Sequence, residues 1–283
     1  MVIARNYILK HRAKVVKGSS PRIHGPLMHR RRADLTITPL RQRRHMTGES
    51  TNLLVIDTST DQPAVGIRSR AGGVHVSSFL ATGRHGRDLV PRIGDLLREA
   101  NLRVMDLGIV AVGLGPGSYT GLRIGLTAAR TLAYTAGAVL LGFDSLEGWA
   151  RTAPPEVSRV HVVADAQRGD VYAADFLRDS LLEPLKLVIA SRIESLQSWS
   201  QRLDRQGFVV GPGLDSTRIR AAIPVEMQMA DARPDRSRAL ALLELARQLC
   251  AGVERDDLWT LEPNYLRRSA AEETWDARGT RPS

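Results

Sequence analysis

The chain is short of several things at once, and each shortage narrows its chemistry. It has one cysteine, Cys250, so no internal disulfide framework can form, and a lone buried thiol suits a reducing cytosol. No apolar stretch approaches the ~18 residues that span a bilayer; a cytoplasmic protein without membrane contact is expected. Lysine is missing between Lys17 and Lys186. None of the seven histidines (His11, His24, His29, His45, His75, His85 and His161) stands four positions from another, which excludes a His-x-x-x-His metal pair. No Ser-His-Asp or Cys-His arrangement suggests a nucleophile, and Cys250 sits among Leu245, Ala246 and Leu249 as a core residue would. Catalytic residues and a metal site are therefore expected to be absent.

Acidic residues are scarce in one place. Residues 1–50 hold twelve Lys and Arg against Asp34 and Glu49, which accounts for the whole net charge of +10. The rest of the chain is neutral. Residues 1–51 form a basic leader with no sustained period, and such charge density opposes collapse, so disorder is expected there. The leader reads as an arm for RNA phosphates, as an Arg-rich transit-like segment, or as a stretch upstream of the true start. Met46, six residues before the first apolar run, fits the last of these.

From residue 52 the pattern is α/β. "NLLVID" (52–57) is a buried strand ending in an acid, and "AVGIRSR" and "GVHVSSFL" flank the hairpin signal Gly72-Gly73. A helix over 87–100 places Leu89, Val90, Ile93, Leu96 and Leu97 on one face, with Pro91 tolerated near its start. "LGIVAVGLG" and "AVLLGFD" are strands on either side of a helix over 121–136. The second half begins again with "RVHVVADAQRGDVYAADF": strand, acid, tight turn, returning strand. Asp165 echoes Asp57. Further helices are expected near 192–204, 216–222 and 237–252, with a strand "GFVVG" among them. The lobes predicted are 52–155 and 156–283, two related sub-domains with mixed sheets, the tail fraying from about 269.

Between strand and helix stands "GLGPGSYTGLRIGL" (113–126), with five glycines. A glycine turn feeding a helix offers free N–H groups to an anion, with Ser118 and Thr120 as candidate N-caps. Yet the loop has no Walker lysine, and Gly-x-Gly-x-x-Gly fails from both Gly113 and Gly115. The alternative is structural. Gly115 and Gly117 permit positive φ, Pro116 stiffens the turn, and Gly121, Gly125, Ala128, Ala129 and Ala133 make a stripe of small side chains. Glycine inside a helix costs ~1 kcal/mol relative to alanine, tolerable where something must approach closely. A neighbouring helix is the expected guest.

The segments "VIDTST", "GLGPGSYTGLRIGL", "DAQRGDVYAADF" and "EPNYLR" stand in the order and spacing of the TsaB family, also called YeaZ, and the resemblance covers about residues 52–268. It implies an ASKHA fold, two actin-like, ribonuclease H-like lobes, and a non-catalytic partner of TsaD in threonylcarbamoyladenosine synthesis on tRNA. In ASKHA proteins Asp57, Thr58 and Asp165 would stand at a nucleotide cleft. Here Ala166, Gln167 and Arg168 replace the glycines such a cleft needs, so the cleft reads as degenerate. Asp57 either orders Thr58 and Ser59 or holds a metal ion through water.

The resemblance further implies that the two helices flanking the loop form the partner face. Leu89, Ile93 and Leu97 would contribute from the first, and Gly125, Ala128, Ala129 and Leu132 from the second. TsaD is the expected direct partner and TsaE completes the complex. ATP and metal are expected at those partner subunits, with no cofactor on this chain. tRNA would be reached indirectly, and pairing of two copies through the same helices stays open. Two other readings stand beside this one: a self-sufficient ATPase or kinase using Asp57 and Asp165, and an RNA-binding module driven by the leader.

Overall fold

The computed structural model describes residues 51–80, 85–180, 183–230, 236–250 and 258–267. The leader and the tail from 269 lie outside them. Short apolar runs build the first sheet from β1 (Leu53–Asp57), β2 (Ala64–Arg68), β3 (Val74–Ser78), β4 (Ile109–Gly113) and β5 (Val139–Phe143), in the order β3-β2-β1-β4-β5. β2 runs antiparallel to β1 and β3, whereas β4 runs parallel to β1 and β5. The second sheet contains β6 (Arg159–Asp165), β7 (Asp170–Leu177), β8 (Lys186–Ser195), β9 (Phe208–Val210) and β10 (Gln228–Met229). Its order, β8-β7-β6-β9-β10, repeats the first with the same strand directions. The echo of Asp57 in Asp165 is thus a duplication of topology: each acid ends the central strand of its sheet. This duplicated, mixed-sheet arrangement is the ASKHA architecture.

Both faces of β1, β2 and β4 are buried, which is why these strands read as nearly continuous apolar runs, whereas β3 at the edge is half-buried. Leu54, Ile56, Val110, Val112 and Leu140 point to one face, covered by α1 (His85–Glu99) and α2 (Tyr119–Ala136). Leu53, Val55, Ile109, Ala111 and Leu141 point to the other, covered by α6 (Arg236–Cys250). The second sheet is sandwiched between α3 (Ser145–Ala150) and a layer made by α4 (Leu196–Gln201) and α5 (Thr217–Ala221). Two elements cross over. α3 follows the first sheet in sequence yet packs on the second, and α6 follows the second yet packs on the first. Expected within the 156–283 lobe, α6 carries Ala239, Leu242, Leu243 and Ala246 into the first lobe's core instead. Gly148 lets the two helices meet, because a Cβ there would strike Leu242.

Four local expectations need correction. The helix expected from 192 starts at Leu196, because β8 keeps pairing with β7 up to Ser195. α1 begins at His85, so Pro91 falls inside it, on the exposed side. Val90 is 63% exposed and does not share the buried face of Leu89, Ile93, Leu96 and Leu97. The two-residue strand β10 carried no sequence signal. Among the described residues no helix is long and apolar enough to cross a membrane.

The lobes are joined by polar contacts as well as by the crossed helices. Gln62 Nε2 donates to Asp215 Oδ2 at 2.6 Å, and Ser191 Oγ donates to Asp144 Oδ2 at 2.5 Å. Asp144 also caps α3 by accepting from the Leu146 N–H at 2.8 Å. Burial pushes its carboxyl up to about 6, against these hydrogen bonds, which favour the carboxylate. The folded chain therefore binds this proton more tightly than the unfolded one. Stability from Asp144 is complete below the ordinary aspartate pKa of ~3.9 and is lost as pH rises through about 6. The melting temperature of the native chain should fall relative to Asp144→Asn between those limits and run parallel to it above pH 7, measured by thermal melts across the range. A difference independent of pH would contradict this.

Candidate functional site

The glycine loop is packed against its own chain. A Cβ at Gly117 would collide with the Ser59 carbonyl oxygen, one at Gly121 with the Thr58 carbonyl oxygen, and one at Gly125 with Thr58 Oγ1. The guest of the stripe's two glycines, Gly121 and Gly125, is therefore the turn after β1 and not a neighbouring helix. Gly115 has φ +94° and follows the expectation; Gly117 shows no positive φ and is required for the close approach alone. The Gly115–Pro116 bond is cis. Thr58 Oγ1 donates to the Gly121 carbonyl at 2.7 Å and so pins the turn to the first turn of α2.

Three of the loop's N–H groups, those of Gly115, Ser118 and Gly121, are engaged within the chain. Gly115 N–H donates to Ser145 Oγ at 3.0 Å and Ser118 N–H to the Ser59 carbonyl at 2.7 Å. Gly121 N–H donates to Ser118 Oγ at 3.2 Å, which makes Ser118 the N-cap; Thr120 lies inside the helix and is exposed. The loop is a structural joint.

Asp57 is 0% exposed and its charge is met inside the protein. Arg238 of α6 donates from Nη2 to Asp57 Oδ2 at 2.7 Å, while the Ser59 N–H donates to Oδ1 at 2.8 Å and Ser145 Oγ to the same oxygen at 3.3 Å. The guanidinium also donates to the Gln62 carbonyl and lies 4.4 Å from the Trp149 ring centroid. A buried carboxylate needs such a set of partners. The ordering of Ser59 through Asp57 is visible in the first of the Oδ1 bonds. Asp165 differs: it is exposed, caps Gln167 N–H at 2.6 Å and pairs with Arg218 at 3.3 Å. Each acid has its own arginine. After Asp165, Gln167 and Arg168 hold positive φ of 62° and 53°, so the turn stays left-handed without glycine until Gly169. Among the described residues no three His, Cys, Asp or Glu side chains group as a metal site would require.

The helix pair presents a different surface. α1 and α2 enclose an open groove of about 500 Å³ lined by Leu89, Val90, Ile93, Ile124, Ala128 and Leu132, with Arg123, Thr127 and Thr131 on its rim. Of the residues expected at a partner face, Leu89 and Ile93 form its floor, and Ala128 and Leu132 line it half-buried. Leu97, Gly125 and Ala129 do not reach it. Leu97 and Ala129 belong to the core under the sheet, and Gly125 faces Thr58. Sequence reasoning missed Val90, Ile124, Thr127 and Thr131, although spacings of three and four along α2 carried the signal. Arg238 was missed entirely.

A family model described as TsaD, tRNA N6-adenosine threonylcarbamoyltransferase, matches residues 64–199. The chain is 29% identical over 197 residues to the tRNA threonylcarbamoyladenosine biosynthesis protein TsaB of Bacillus subtilis, covering 68% of this chain and 83% of that one. It is 28% identical to the protein of the same name from Haemophilus influenzae, over 80% of this chain and 97% of the relative. The solved structure of YeaZ from Pseudomonas aeruginosa superposes at a TM-score of 0.62 with 25% identity, over 76% of this chain and all of that one.

Two stability measurements check the packing. Gly121→Ala should destabilise by about 1–3 kcal/mol in chemical denaturation, reversing alanine's helix advantage of ~1 kcal/mol; a stabilised variant would mean the Thr58 turn is not where the structure puts it. Asp57→Asn and Arg238→Met should each cost about 3–5 kcal/mol. The double variant should cost clearly less than their sum, and strict additivity would argue against the pair.

Proposed function

We propose that the chain, similar over most of its length to proteins named TsaB and to the YeaZ structure, is a member of that family and the non-catalytic partner of a TsaD-type transferase in tRNA threonylcarbamoyladenosine synthesis, held through the groove between α1 and α2. The observation that carries this reading is the groove: an apolar trough open to solvent, with Val90 at its edge. It stands beside a cleft whose acid is already neutralised by Arg238. An open apolar surface on an otherwise charged protein marks a docking face.

The transferase family model fits a span that includes both helices, which supports a corresponding helix pair in the partner. Two related helix pairs can bury one another's apolar faces across a local two-fold axis, ridges entering grooves. The same geometry would let two copies of this chain pair when the partner is absent. On this reading ATP and the metal ion act at the partner subunits, TsaE completes the assembly, tRNA is engaged through the complex, and the setting is cytoplasmic.

Val90→Asp places a charge in the groove without entering the core. Its affinity for the transferase subunit should drop at least tenfold by calorimetry, about 1.4 kcal/mol, while its melting temperature stays near that of the native chain. Undiminished binding would overturn the reading. Ala129→Glu is no substitute, because Ala129 is 0% exposed and the charge would unfold the core.

A further inference from the structure

Residues 258–267 lie along α2 as a strap. Tyr265 stacks on Tyr119 with ring centroids 4.6 Å apart, and its hydroxyl accepts from Arg123 Nε at 3.1 Å. Arg130 donates to the Leu261 carbonyl, and the Asn264 N–H donates to the Leu114 carbonyl at 2.8 Å. Leu258 and Leu261 pack onto the core under the strap. Trp259 does not. It is 71% exposed and stands against Tyr134, itself 52% exposed, with ring centroids 6.1 Å apart. Tyr134 follows the groove residues Thr131 and Leu132 on α2, so the two aromatic rings continue the open face beyond the end of the groove.

We propose that the Trp259–Tyr134 pair is an aromatic anchor for the same transferase-type subunit that enters the groove. This rests on the docking reading above. Continuity with the groove selects the occupant, and the charges agree: Arg123 and Arg130, the bases of α2 nearest the strap, are directed at Tyr265 and Leu261. A surface for nucleic acid would instead turn its cations outward to phosphates. Trp and Tyr are the residue types that dominate binding energy at protein interfaces. Tyr134 is held on α2 and Trp259 on a strap tied at Leu261, Asn264 and Tyr265, so the two rings are presented at little further ordering cost.

Trp259→Ala and Tyr134→Ala, made in the full chain, should each weaken binding to the purified transferase subunit at least tenfold in calorimetry, with melting temperatures unchanged. Trp259→Phe should recover most of the loss. Val90→Asp serves as the groove control. If it weakens binding while both aromatic variants bind as the native chain does, the anchor is wrong and the groove reading stands. If all three bind normally, both fail. Should Trp259→Ala unfold the protein, or should Trp259→Phe bind no better than Trp259→Ala, the ring is not an interface anchor and the proposal falls.

Discussion

At Gly117 and Gly121 the start of α2 lies against the backbone of the turn after β1, with no side chain in between. Most of what is distinctive about the chain follows from that contact. It fixes the Gly115–Gly117 corner, engages the N–H groups of Ser118 and Gly121, and holds Thr58 against the helix. Because the glycine side of α2 is committed inward, Ile124, Ala128 and Leu132 are left to face the groove with α1.

The buried pair of Asp57 and Arg238 belongs to the same arrangement. Arg238 reaches Asp57 because α6 returns to the first sheet, and Trp149, on the reciprocal helix α3, closes over the guanidinium. The two crossed helices thus tie the lobes together, and they meet where Gly148 adjoins Leu242 and Trp149 covers Arg238. A buried acid paired with arginine stands beside an open apolar groove, and the proposed docking role is drawn from that arrangement.

Much of this was legible in the sequence, for identifiable reasons. Strand periodicity and the strand-acid-turn pattern ending at Asp57 and Asp165 disclosed the duplicated sheets, since each pattern is local. The small side of α2 was legible too, but its guest was not: spacing shows which face is small and not what lies on it. The same limit placed Val90 with Leu89, adjacent apolar residues that a helix sends in directions ~100° apart. Ala129 and Gly125 were assigned outward for want of knowing where the sheet stood. Arg238 gave no local signal among the arginines of "RPDRSRAL", because its partner lies 181 residues away. The stretch "SRIESLQSWSQRL" has a helical period throughout, yet pairing with β7 claims its first residues for β8.

Hydrogen exchange on the chain, free and bound to the transferase subunit, tests the central claim most directly. The account predicts slowed exchange along α1 and α2 on complex formation, and no change at residues 57–62 when Mg-ATP is added to the chain alone. Slowing by Mg-ATP at residues 57–62 and 165–170, with both helices indifferent to the partner, would show that the cleft is open and the docking face is not.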